Sequence, residues 1–238
     1  MSSSTIRGLF AGVLILGVCA LGAALATHGG PLAIDQTVMT WVFDHRHQGM
    51  VSAVSTVSDL FSPGMVILWT LVIATWLFLR DRTLGRAAAV VGGVVAAGAF
   101  TEIVKLSVHR PRPPMHYHAG ITEMTLSYPS GHVTGTTALA LTTAVVATAG
   151  ASRRSRMSVV GAGLAISLVA AATRLYLGVH WFSDVLAAFA VGAAAALIIP
   201  TTTDAVMSGI RRRGSGRVPG WFAPYPHAPA KGVCKHGL

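Results

Sequence analysis

The chain is short of charged residues and of cysteine, and each shortage excludes a class of protein. Asp, Glu, Lys and Arg make up 11% of its 238 residues, whereas a soluble domain carries about 25%. Hydrophobic residues make up 53%. The two cysteines, Cys19 in an apolar run and Cys234 near the C-terminal end, suggest neither a disulfide framework nor a cysteine metal site. The composition indicates an integral membrane protein with room for one sizeable domain.

Six long apolar runs account for the hydrophobic content. They cover residues 7–27, 61–79, 86–106, 132–150, 157–176 and 181–203. Each is close to the ~20 residues that a helix needs to cross a hydrocarbon core of ~30 Å. The sequence therefore predicts an all-α polytopic membrane protein with six transmembrane helices in one membrane domain, residues 1–203. Gly93, Gly98 and Gly192 within the runs are predicted to allow close helix packing.

The positions of Lys and Arg orient the six helices. With a cytoplasmic N-terminus, 13 of the 18 fall on the cytoplasmic side, and the other five are Arg46, Lys105, Arg110, Arg112 and Arg174. The positive-inside rule favours this orientation. It predicts a multi-pass protein of the cell membrane with both termini cytoplasmic and outside loops at 28–60 and 107–131. Residues 204–238 are predicted to form a basic, disordered cytoplasmic tail.

The net charge of +10 is explained by this topology and does not indicate a nucleic-acid partner.

The first run has a second interpretation, because Arg7, the apolar stretch and Ala24-Leu25-Ala26 resemble a cleavable signal peptide. Its length of about 19 residues exceeds the usual ~7–15 residue apolar region, which favours an uncleaved first helix. A surface-lying amphipathic helix is predicted within residues 28–60.

Three short polar strings interrupt the apolar sequence. They are Lys105-x6-Arg112-Pro113, Pro129-Ser130-Gly131-His132 and Arg174-x5-His180-x3-Asp184. In the predicted topology all three fall at the outer ends of helices, so hydropathy alone brings them to one membrane face. Together they hold three cations, a hydroxyl, two histidines and a carboxylate. This is a set that can bind a phosphate and break its ester bond.

Each residue type suits one part of that chemistry. Arg112 and Arg174 offer planar forks of N–H groups to phosphate oxygens, and Lys105 adds a point charge. Ser130 can donate its hydroxyl, and the backbone N–H groups after it open a helix, where anions are favoured.

The histidines suit the bond-breaking steps. His180 and Asp184 lie one helical turn apart, so the carboxylate can fix the ring tautomer and free the other nitrogen to attack phosphorus. His132 can protonate the leaving oxygen. These roles predict a bell-shaped pH dependence of kcat/KM.

The strings resemble the signature of the type 2 phosphatidic acid phosphatase superfamily, K-x6-RP, PSGH and SR-x5-H-x3-D, over about residues 31–203. The resemblance implies a six-helix, metal-independent membrane phosphatase without a cofactor, acting on a lipid phosphate. It implies that His180 is the nucleophile, His132 the acid and Asp184 the partner of His180. It assigns phosphate binding to Lys105, Arg112, Ser130, Gly131 and Arg174. Thr173 stands where the family usually has Ser.

The apolar runs and the three strings are also compatible with other functions. The same site would serve a lipid phosphotransferase, and the membrane helices would suit a lipid transporter or flippase, although transporters usually place charges near the midplane. His180 and Asp184 alone are too few ligands for a divalent metal. Arg110 is predicted to be either a helper or a solvated charge, Asp35 a helix cap or loop anchor, and Glu102 a partner of Lys105. The substrate lipid and the oligomeric state are left open.

Overall fold

The protein is a bundle of long helices with two short helices at one end. The computed structural model describes residues 2–28, 30–214 and 219–224, and within these ranges its regular structure is helical, without a strand. The helices are α1 Ser3–His28, α2 Ala33–Asp44, α3 Val51–Asp59, α4 Pro63–Asp81, α5 Gly85–Val108, α6 Gly131–Ala147, α7 Arg153–Tyr176 and α8 Phe182–Arg213. Short 3₁₀ turns lie at Gln48–Met50 and Met115–Tyr117.

Five helices are long and apolar enough to cross a membrane: α1, α4, α5, α7 and α8. The prediction of an all-helical, multi-pass membrane protein is therefore confirmed. The predicted span at 132–150 coincides with α6, which has only 17 residues. That length corresponds to about 25 Å of helix, below the ~30 Å of a typical hydrocarbon core.

The short helix α6 lies at the centre of the bundle. It packs against α5, α7 and α8, and ten of its 17 residues are buried, four of them threonines. Exposed apolar side chains belong instead to helices such as α1 and α4, where Leu16 and Leu71 are exposed. The bundle therefore surrounds α6 with other helices and places the start of α6 in the middle of one end.

Small residues set how closely the central helices approach. A Cβ atom at Gly93 of α5 would lie 2.7 Å from Thr142 Oγ1, and one at Gly192 of α8 would lie 2.6 Å from Thr137 Cβ. These two glycines therefore allow α5 and α8 to pack on α6, as predicted. The prediction is wrong for Gly98, because a Cβ atom there would meet no atom within 4 Å.

The start of α4 and the ends of α1, α5 and α7 share one end of the bundle with the starts of α6 and α8. The helices α2 and α3 occupy the region predicted as the loop 28–60. At the other end, α8 continues to Arg213, ten residues beyond the predicted last span. Of the predicted tail, residues 215–218 and 225–238 lie outside the described residues.

Candidate active site

His180 lies in the tight connection between α7 and α8. The connection turns at Gly178, whose φ is +70° and where a Cβ atom would lie only 2.1 Å from the carbonyl oxygen of Tyr117. Only glycine fits both the left-handed backbone and this close approach. The turn buries the His180 side chain, which is 1% exposed, and brings its Nδ1 to 3.5 Å from Asp184 Oδ2.

The Asp184 carboxylate is fully buried and surrounded by donors. The Ser127 hydroxyl donates to its Oδ2 at 2.5 Å, and the backbone N–H of Trp181 donates to the same oxygen at 2.8 Å. Arg110 donates to Oδ1 at 2.5 Å. The Trp181 bond also caps the start of α8, so Asp184 is fixed by the helix that carries it. A carboxylate held in this way can orient the His180 ring.

Arg112 lies against the other ring nitrogen of His180. Its Nη1 donates to His180 Nε2 at 3.1 Å and to the carbonyl of Val179 at 2.8 Å. Its Nε donates to the carbonyl of Thr125 at 2.8 Å. With an arginine donor at Nε2 and a carboxylate at Nδ1, the network assigns the proton to Nδ1 and leaves Nε2 unprotonated, with its lone pair directed at Arg112.

The charge around His180 favours its neutral form. Burial, followed by the positive charges of Arg112 and Arg174 and the nearby His132, lowers the pKa of His180 well below its ordinary value. A neutral imidazole with a fixed lone pair is the form that can act as a nucleophile.

Glu123 bridges the two arginines. Arg174 Nη2 donates to Glu123 Oε1, and Arg112 Nη2 lies 3.1 Å from Glu123 Oε2. Burial raises the pKa of Glu123, but Arg174 and Arg112 outweigh burial and hold that pKa below its ordinary value. Glu123 belongs to none of the three strings, and it was not predicted from the sequence. Its position in the Pro- and His-rich loop gives no signal by itself.

A cavity of about 670 Å³ opens in front of these residues. Five of the eight predicted site residues line it: Lys105, Arg112, Gly131, His132 and His180. The other three, Ser130, Arg174 and Asp184, are buried close behind. The structure thus brings all eight to one end of the bundle.

Two buried donors at the site lack partners. Ser130 Oγ and Arg174 Nε make no hydrogen bond among the described residues. Buried polar groups are almost always hydrogen-bonded, so these two donors are available to an anion. Lys105 Nζ is paired with Glu102 Oε1 at 3.0 Å, which confirms the predicted pairing. Lys105 also lies next to Gly131, since a Cβ atom placed at Gly131 would be 3.5 Å from Lys105 Nζ.

Two further residues have more contacts than the sequence indicated. Arg110 is 4% exposed and contacts Asp184, so it is not a solvated charge. Asp35 accepts from the backbone N–H of Leu32 at 3.1 Å, as a helix cap should, and also pairs with Arg110 at 2.6 Å. Ser127 was not predicted at all.

Within the part of the chain that the structure describes, no three His, Cys, Asp or Glu side chains lie close enough to hold a metal ion.

Comparison with known proteins places the chain in a family. The family model of the PAP2 superfamily matches residues 86–207, just over half of the chain. No curated protein sequence matches significantly.

Two crystal structures share the fold. One is a transmembrane PAP2-type phosphatidylglycerolphosphate phosphatase from Bacillus subtilis, with a TM-score of 0.66 and 18% identity over 83% of this chain and 97% of that one. The other is LpxE from Aquifex aeolicus, with a TM-score of 0.53 and 16% identity over 71% and 96%.

Proposed function

The chain belongs to the PAP2 superfamily, and from that premise we propose that it is a membrane lipid phosphatase that hydrolyses a phosphate monoester or pyrophosphate of a lipid. The observation that carries the proposal is the environment of His180. Its Nδ1 faces a fixed carboxylate and its Nε2 faces a cation on the wall of a cavity. This is the arrangement that a histidine nucleophile for phosphorus requires.

In the first step, His180 Nε2 attacks phosphorus. A P–N bond forms, the P–O bond to the lipid breaks, and His132 gives a proton to the leaving oxygen. The ring of the phosphohistidine carries a positive charge, which Asp184 stabilises through the Nδ1 proton. Phosphate oxygens are bound by Lys105, Arg112, Ser130, Gly131 and Arg174.

In the second step, water attacks the phosphohistidine. His132, now neutral, takes a proton from the water as its oxygen bonds to phosphorus, and the P–N bond breaks. The electron pair returns to His180 Nε2, and inorganic phosphate leaves. The cycle closes with both histidines in their starting forms and needs neither a metal ion nor a cofactor.

A lipid substrate is supported by the cavity's apolar side. Its lining includes Pro63, Leu106, Met124 and Leu126 next to the charged residues, and Leu106 and Met124 are 66% and 86% exposed. Such a side suits an acyl or isoprenoid chain, while the charged side suits the phosphate. We place α6 as a sixth membrane helix and the cavity at the extracytoplasmic face of the cell membrane, with both termini cytoplasmic, because 13 of the 18 Lys and Arg then lie inside.

The test is phosphate release by the purified protein in detergent with EDTA present. The panel contains phosphatidic acid, phosphatidylglycerophosphate and undecaprenyl pyrophosphate. We expect release by the wild type and a loss of more than about 10³-fold in His180→Ala, because the nucleophile is removed. The matched control is His47→Ala, an exposed histidine outside the cavity, which should keep wild-type turnover.

The outcomes separate the possibilities. A fully active His180→Ala would contradict the mechanism. Consumption of the lipid phosphate only when a lipid acceptor is added, with the phosphate recovered on that acceptor, would identify a phosphotransferase. Movement of an unhydrolysed lipid across liposomes would identify a transporter.

A further inference from the structure

Asp35 and Arg110 form a buried ion pair behind Asp184, and we propose that this pair positions and charges the carboxylate that supports His180. The inference rests on the function proposed above for His180. In this arrangement, Asp35 binds one nitrogen of the Arg110 guanidinium. Arg110 therefore holds Asp184 in place, while the three groups together keep a net negative charge. Neither residue is among those that line the cavity of about 670 Å³, so both would act through Asp184.

The contacts join three distant parts of the sequence. Arg110 Nη2 donates to Asp35 Oδ2 at 2.6 Å, and Arg110 Nη1 donates to Asp184 Oδ1 at 2.5 Å. The Arg110 side chain is 3% exposed and both carboxylates are fully buried. A single buried guanidinium therefore bridges a carboxylate from α2 to a carboxylate from α8.

Ser183 ties the pair to the start of α8. Its backbone N–H donates to Asp35 Oδ1 at 2.8 Å, and its hydroxyl donates to Asp35 Oδ2 at 2.8 Å. Its hydroxyl oxygen also accepts from Arg110 Nη1 at 2.8 Å. Asp35 thus binds the residue immediately before Asp184, which fixes the position of the carboxylate as well as its charge.

The charge balance gives the pair a chemical role. Two carboxylates around one guanidinium leave one net negative charge next to the Nδ1 of His180. An Arg110–Asp184 pair alone would be neutral and would offer little to a positively charged phosphohistidine ring. With Asp35 present, the positive charge of the phosphohistidine ring would bring the net charge of the buried group to zero. The intermediate would therefore be stabilised relative to the free protein, in which the group carries one net negative charge.

The alternative is that Asp35 only stabilises the fold by capping α2. A matched pair separates the two roles. Asp81 and Arg86 form a buried ion pair of 2.9 Å at the opposite end of the bundle, with side chains 8% and 9% exposed. Asp81→Asn makes the same chemical change as Asp35→Asn, in a comparable environment, far from the cavity.

The experiment measures kcat and KM for lipid phosphate with the full chain in detergent, and thermal unfolding of each variant. We expect Asp35→Asn to lower kcat about 10- to 100-fold and to change KM less than about 3-fold. The same factor of about 10- to 100-fold is lost when the hydrogen-bond partner behind a metal-bound histidine is removed. Asp81→Asn should keep kcat within about 2-fold. Because Asp35 acts through Arg110, Asp35→Asn combined with Arg110→Gln should be no slower than Arg110→Gln alone.

The pH profile adds a readout that a structural role would not move. His180 is faced by Asp184 from α8, Arg174 from α7, His132 from α6, and Arg112 and Glu123 from the loop before α6. Removing the negative charge of Asp35 disfavours protonated His180, so the acid limb of kcat/KM should shift to lower pH.

The result that would overturn the inference is an Asp35→Asn variant with the kcat and pH profile of Asp81→Asn, while His180→Ala is inactive. If Asp35→Asn does not fold, Arg110→Lys decides, since one ammonium cannot reproduce the guanidinium bridge. A folded Arg110→Lys with wild-type kcat would also overturn it. A wild type without lipid phosphatase activity would instead overturn the proposed function, and this inference with it.

Discussion

The two ring nitrogens of His180 have opposite surroundings. Nδ1 faces the buried Asp184 carboxylate, and Nε2 accepts from Arg112. Burial, Arg112 and Arg174 lower the pKa of the ring, because each of them disfavours the imidazolium. His180 is therefore neutral in the free protein at neutral pH. A bound phosphate brings about two negative charges and opposes the two arginines.

The pH dependence of turnover follows from this balance. In the free enzyme, which kcat/KM reports, the acid limb assigned to His180 should lie well below pH 6.5. In the complex, which kcat reports, phosphate favours the imidazolium, so the acid limb should move to higher pH. Both profiles are measured on one lipid, after correction for the titration of its own phosphate at pH ~6. Coincident limbs, or a kcat/KM limb at or above pH 6.5, would contradict this account.

Glu123 occupies the position between Arg112 and Arg174 that the proposed mechanism gives to phosphate. The substrate must therefore displace the carboxylate or share the arginines with it. Glu123→Gln removes the charge and keeps the shape. We expect inorganic phosphate to inhibit this variant about 10-fold more strongly than it inhibits the wild type. This factor is consistent with the free-energy contribution of one charge-assisted hydrogen bond. Asp44→Asn, at an exposed position of α2, is the control. Weaker inhibition in Glu123→Gln would mean that the carboxylate helps binding by holding the arginines in place.

At the level of single residues, the sequence predicted the members of the three strings and missed their supports. Local spacing and hydropathy sufficed to place His180, Asp184 and the residues proposed to bind phosphate at one end of the bundle. Ser127, Glu123 and the second contact of Asp35 could not be predicted, because they depend on how a loop and a short helix fold back onto the motifs. No spacing in the chain encodes those approaches.

At the level of helices, hydropathy predicted where each long helix lies but not which one is central. The apolar runs at 132–150 and 157–176 look alike in the sequence, yet α6 is enclosed and much of α7 is exposed. Threonines of α6 account for its enclosed position, because Thr137 packs against a glycine of α8 and Thr142 packs against a glycine of α5. The start of α6 carries Gly131 and His132, so close packing of this helix sets the back of the cavity.

Gly192 is the position where this packing can be tested. A Cβ atom there would lie 2.6 Å from Thr137 Cβ and 2.8 Å from the backbone nitrogen of Ala138. Gly192→Ala should lower the stability in detergent by about 1–3 kcal/mol through overpacking, seen as a lower Tm. Gly98→Ala, where the added carbon meets open space, should leave Tm unchanged or raise it, because Ala favours helix over Gly. Equal effects of the two substitutions would argue against close α6–α8 packing.

At the level of the whole molecule, charge is divided between the two ends of the bundle. The end with the cavity holds Arg46, Lys105, Arg110, Arg112 and Arg174. Three of these contact residues of the candidate site: Arg112 contacts His180, Arg110 contacts Asp184 and Arg174 contacts Glu123. The other end carries arginines that belong to none of the three strings, such as Arg80, Arg82 and the group at 153–156. Cations at the cavity end contact residues of the candidate site, whereas those at the other end form the excess that the predicted topology places in the cytoplasm.

The orientation can be measured with single cysteines after Cys19 and Cys234 are replaced by Ser. Gln48 lies at the cavity end and Ser155 at the other, and both are exposed. A membrane-impermeant thiol reagent added to intact cells should label Gln48→Cys and should reach Ser155→Cys only after permeabilisation. The reason is the excess of Lys and Arg on the Ser155 side, which is retained in the cytoplasm. The opposite pattern would place the cavity on the cytoplasmic face. It would leave the histidine chemistry intact but require that the lipid phosphate be supplied from the inner leaflet.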